Sequence, residues 1–84
     1  MAKLERVLSM TDQSIQFWLR TVEEQDVLNG LLGVSAEVRQ RVLDNLSPRA
    51  RVVTRDYLES HADLDQRFVE ASLTRLESAL SLVR

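Results

Sequence analysis

Few side chains in this sequence are of the types that carry chemistry. His61 is the only histidine, and cysteine is absent. An imidazole can serve phosphotransfer or hold a metal, but no second histidine and no thiolate is present to share an ion. No glycine-rich loop is available to cradle a phosphate. His61 sits between Ser60 and Ala62 at the end of a helical stretch, where the helix dipole favours a polar or cationic residue, so it reads as structural. The acidic pairs Glu23/Glu24 and Asp63/Asp65 resemble paired carboxylates. They fall where helices should begin, and capping accounts for them. The segment HADLDQRF lacks the glycine turn and the later acidic ligands of a calcium loop. Catalytic, cofactor-binding and metal-binding residues are therefore expected to be absent.

The sequence offers surface instead. In TDQSIQFWLR, Ile15, Trp18, Leu19 and Val22 recur at i, i+3, i+4 and i+7 and face one way. Phe17 lies about 200° round the helix from Ile15. Asp12, Gln16 and Arg20 are four residues apart and drift by only about 40° per step, forming one polar ridge about 12 Å long beside Phe17. Asp12, Gln16, Phe17 and Arg20 are the candidate partner-binding residues. The competing reading makes Asp12 a cap, Arg20 a complement to the helix C-terminus, and Phe17 a packing residue against a neighbouring helix.

Composition narrows the classes. The chain has 84 residues, 44% hydrophobic and 29% charged, the mix of a small globular domain rather than a disordered segment. It reads as one domain spanning residues 1–84. A net charge of −2 argues against nucleic acid, which is bound through clustered positive charge. No apolar run approaches the roughly 20 residues that span a bilayer, and the N-terminus lacks the apolar core of a signal peptide. No membrane insertion is expected, and the chain reads as soluble and cytoplasmic. Ten of the eleven basic residues are arginine, which genome base composition explains without a function.

The elements that must position these residues are helical throughout. Leu4, Val7 and Leu8 make a short amphipathic helix from Lys3 to Ser9. Thr11 or Asp12 caps the helix carrying the ridge. A third helix runs from about Glu23 to Leu32 and ends at Gly33, read as a left-handed terminator. Ser35 caps a fourth, with Val38, Val42 and Leu43 inward. Ser47 followed by Pro48 is a strong start signal, because serine caps and proline loses no hydrogen bond at the first position. That fifth helix runs to about Ser60, with Ala50, Val53, Tyr57 and Leu58 inward. The last opens near Asp63 or Asp65, and Val69, Leu73, Leu76, Leu80 and Val83 step by four and three along it in a heptad-like seam. This seam has two uses: core packing within the domain, or self-association with the same helix of another chain. The expected fold is all-α, a compact right-handed superhelical or armadillo-like layer of five to six short helices ending in one longer helix.

Taken in order, TDQSIQFWLRTV, LNGLLGVSAEVRQRVLDNLSPRA and RDYLES resemble the C-terminal part of the flagellar motor switch protein FliG family. That family has an acidic residue before an (S/A)-I-Q-x-x-L-R-x-V segment, matched by Asp12, Ser14, Ile15, Gln16, Leu19, Arg20 and Val22. A turn of the type A-L-K-G-A and an (E/D)-x-(V/L/I)-(R/K)-x-(K/R) stretch follow, matched through Leu32, Gly33, Glu37, Val38, Arg39 and Arg41. Asn45, Leu46, Ser47, Arg49 and Ala50 match N-(M/L)-S-x-R-A, and Asp56, Leu58 and Glu59 the later acidic Leu-Glu segment. Thr11 replaces the first of two acidic residues usual in the family, and SHADLDQR stands where a Gly-Pro turn is usual. Full members carry two further upstream domains, so the chain is expected to be either one domain of such a protein or a short stand-alone relative.

The resemblance implies a non-catalytic helical rotor domain at the cytoplasmic face of the flagellar basal body. Its partners would be the cytoplasmic loop of the stator and other switch subunits, with torque and rotation direction as its output. In the family, charged residues of the helix that opens with this motif face the stator, which would assign that role to Asp12 and Arg20. The alternative is a helical adaptor or homo-oligomerisation domain with no motor role.

Overall fold

A computed structural model describes residues 3–83, and among them every regular element is a helix. A 3-10 turn at Glu5–Ser9 precedes α1, Asp12–Thr21. Helix α2, Glu24–Gly30, continues as a 3-10 turn at Leu31–Gly33. Then come α3, Ala36–Asp44; α4, Pro48–Ser60; and α5, Gln66–Leu80, the longest. The expected first helix is thus a 3-10 turn, and the third is shorter by a turn than its stripe implies.

Local chemistry sets the starts. The Thr11 hydroxyl accepts from the Ser14 amide, Ser35 from Val38, and Ser47 from Ala50, at 3.1–3.2 Å. Pro48 occupies the first turn of α4, where its missing amide hydrogen is not needed. Asp65 caps α5 by accepting from the Arg67 amide at 2.9 Å. Each such cap supplies a partner for one of the orphan donors at a helix start and is worth about 1 kcal/mol.

The seam of α5 is the spine of the core. Val69, Leu73, Leu76, Leu80 and Val83 are all buried, together with Ile15, Trp18, Leu31, Val38 and Val42 from the other helices. Self-association through these residues is therefore corrected: the seam is consumed inside the chain, chiefly against α2. The Trp18 indole N–H donates to the Leu76 carbonyl at 3.1 Å, satisfying the one polar atom of a buried ring.

Gly30 and Gly33 permit that packing by lacking a side chain. Neither has a positive φ, so Gly33 is not the left-handed terminator expected. A Cβ on Gly33 would stand 2.7 Å from Val69 Cγ1 and 2.8 Å from Leu73 Cδ1, and one on Gly30 would strike Leu76. The glycines let α2 lie close on α5.

Helix α4 differs from its pattern. Ala50, Val53, Tyr57 and Leu58 were its inward set by spacing, yet only Thr54 is buried and Val53 is 49% exposed. Because α5 lies along α2, α4 makes its main contacts with α2 and α3, and its apolar side is left half covered.

Arginines stitch the junctions. Arg39 donates to the carbonyls of Leu31 and Val34 at 3.1 and 3.4 Å. Arg51 donates to those of Leu43 and Leu46 at 3.0 and 3.2 Å. Both stand four residues after a capping serine and reach back eight and five positions, so the same joint occurs twice. Arg6 likewise donates to the carbonyls of Leu80 and Val83, fastening the first turn to the end of α5.

Candidate protein-interaction site

The face of α1 follows from its register. Ile15 and Trp18 anchor the helix in the core, which turns Phe17 outward, 56% exposed. Arg20 is exposed and has no ion-pair partner among the described residues. Asp12 and Gln16 are engaged from outside their helix. One carboxylate oxygen of Asp12 accepts from Arg41 and, at 3.3 Å, from the Asn45 amide, while Gln16 donates to Asn45 at 3.1 Å. Arg41 also donates to the Met10 carbonyl at 2.8 Å. The ridge is therefore half bonded to α3 and half free. The Asp12 side chain remains 65% exposed, with its second oxygen turned to no described partner.

The sequence carries no sign that Arg41 and Asn45 bind the ridge, since the pairing joins positions 29 and 33 residues apart. It likewise concealed Asp26. Asp26 is buried and takes three hydrogen bonds of 2.8–3.0 Å from Arg75 and one of 2.9 Å from Ser72. The Arg75 guanidinium holds its carboxyl below the ordinary carboxylate range; burial pushes the other way, and the Ser72 hydroxyl assists Arg75. The available signal was that Ser72 and Arg75, three apart on one helix, face the same way.

A cleft of about 430 Å³ opens beyond the end of α1, where α2 faces α4. Leu19, Val22, Leu28, Leu46, Ala50 and Val53 make it apolar, with Glu24 on the α2 side and Arg49 on the α4 side. No reading of spacing pointed to it.

No cluster of metal-ligating side chains occurs among the described residues. His61 stacks on Tyr57 with ring centroids 3.9 Å apart and an interplanar angle of 10°, and its Nδ1 lies 3.1 Å from the Tyr57 carbonyl. It finishes α4, as its place at a helix end suggests. No helix among the described residues is long and apolar enough to cross a membrane.

Residues 1–79 match the family described as FliG C-terminal domain. The chain is 33% identical over 86 aligned positions to the flagellar motor switch protein FliG of Thermotoga maritima. That alignment covers 94% of this chain but 26% of the relative, so the chain spans about a quarter of that protein's length. With the family matched over nearly its whole length and the helical fold agreeing, this chain belongs to the FliG C-terminal domain family.

Proposed function

We propose that the chain acts as a single, non-catalytic domain of a flagellar rotor, taking up force from the cytoplasmic loop of a stator and passing it to other switch subunits to set rotation direction. Its place would be the cytoplasm, at the face of the basal body. The observation that carries this reading is the α1 face on a chain of this family: Phe17 and Arg20 stand outward on a helix whose other side is locked into the core. Arg20 supplies a permanent charge and Phe17 an apolar anchor, and the free oxygen of Asp12 extends the surface by one helical turn toward the N-terminus. Charge contacts of this kind favour fast encounter, which suits a contact remade as a rotor turns. Rigidity comes from Trp18, held by Leu76, and from the Asp12–Arg41 and Gln16–Asn45 links, so a push on α1 moves the whole body.

Affinity capture from a flagellated host tests this, with wild type beside Phe17→Ala and Arg20→Asp. Recovery of stator or switch subunits by wild type, reduced in the variants at unchanged stability, supports the reading. Equal recovery of unrelated proteins by all three would make the chain a helical adaptor without a motor role.

A further inference from the structure

We propose that the cleft between α2 and α4 is a docking site for one amphipathic helix of a second protein, seated with an acidic side chain over Arg49 and a basic one over Glu24. This surface is separate from the α1 face and stands on its own observations. The first is α4 itself. Its 13 residues carry the apolar spacing of a core helix, yet Thr54 alone is buried, while Val53 is 49% and Val52 60% exposed. Among the described residues nothing completes the covering of that side, and the cleft runs against it.

The second observation is charge. Glu24 and Arg49 face the cleft from its two sides, and neither has an ion-pair partner among the described residues. Most arginines of the chain are committed: Arg6, Arg39, Arg41 and Arg51 to carbonyls, Arg67 and Arg75 to carboxylates. A free cation and a free anion across an apolar floor match a helix with apolar residues at i, i+3, i+4 and i+7 and opposite charges on its two flanks.

The third is what the walls cannot recognise. They are helices, which present no extended row of free main-chain donors and acceptors, so an extended peptide would gain no ladder of main-chain hydrogen bonds. A polyproline segment needs aromatic slots, and no aromatic residue lines the cleft. A helix needs only side-chain ridges at a separation of about 8–10 Å. A second copy of this chain is a poor occupant. Outside α4 its exposed large apolar residues, Leu8, Phe17, Phe68 and Leu82, stand singly and form no stripe to insert.

The experiment follows backbone amide shifts of the isotope-labelled 84-residue chain on adding a synthetic helical peptide. The peptide has about 16 residues, with leucines at the four spacings, glutamates on one flank and lysines on the other. Saturable shifts centred on Val22, Leu28, Val53 and Thr54 are expected. Arg49→Glu should weaken binding about tenfold, and that variant should prefer a peptide with lysine on both flanks. Val53→Glu should abolish binding, and Phe17→Ala should leave it unchanged, which separates this site from the α1 face. Both cleft variants alter exposed positions, and their spectra away from α4 report folding. Absent saturation, shifts centred on Phe17, or wild-type affinity in both cleft variants would each overturn the proposal. So would peptide-free shifts at these residues that grow with protein concentration, since they would give the cleft to a second copy.

Discussion

Asp26 is the residue whose removal or titration should be felt most at a single site. Its carboxyl is held below the ordinary range by Arg75, so its contribution is complete above the unfolded value of about 3.9 and is lost as pH falls through the lower folded value. Thermal melts from neutral pH into the acid range should show stability falling below about pH 4. Asp65 is also depressed, through Arg67, but stands in solvent, so the comparison with Asp26→Asn isolates the buried group. That variant should melt lower at neutral pH and decline less on acidification. Arg20→Asp, by contrast, should shift the melting temperature by less than about 3 °C, because Arg20 is exposed and bonded to nothing described. A larger fall would make Arg20 a helix-end stabiliser rather than a contact. The roles of Ser35, Ser47 and Pro48 at helix starts were legible in the sequence because a cap and the amide that donates to it lie within one turn. Asp26 was not, because its partners come from a helix 46 and 49 residues away and depend on how α2 rotates against it.

At the scale of elements, helix starts were predictable and helix faces less so. The stripe of α5 proved to be core throughout, since five apolar positions at the same period leave one consistent rotation. The stripe of α4 misleads because periodicity reports which residues share a side and not whether another element arrives to cover it. The glycines teach the same lesson: the place of Gly33 after a helix suggests backbone freedom, whereas its use is to bring α2 onto Val69 and Leu73. Gly33→Ala should therefore destabilise by about 1–3 kcal/mol, as overpacking does, even though alanine is the better helix former. Denaturant unfolding measures it, and a stabilised Gly33→Ala would show that α5 retreats without cost. The arginine richness, put down to genome composition, has a physical use at the joints. Arg39 and Arg51 each span two carbonyls with a planar fork that lysine lacks. Arg39→Lys with Arg51→Lys should lower the melting temperature at unchanged net charge, and near-additive losses would show that the two joints act independently.

For the molecule as a whole, the all-helical class and the family were both readable from the sequence, the first from periodicity and the second from motif order. The α1 face was half readable: its exposure follows from helical rotation, but its bonding to Arg41 and Asn45 required the placement of α3. The cleft was not readable, because it is space left where two elements fail to meet. With the α5 seam buried, sedimentation at dilute concentration should give a single species of the mass of one chain; a dimer under those conditions would require a surface other than Val69–Val83. The clamp of Arg6 on the carbonyls of Leu80 and Val83, beside the Lys3–Glu77 ion pair at 3.7 Å, adds one more consequence. The first and last described segments lie within one arginine side chain of each other, so a short linker would close the backbone into a ring. New ends opened between the exposed Ala62 and Asp63, in the turn joining α4 to α5, would leave every helix whole, and such a circular permutant should refold to the same core.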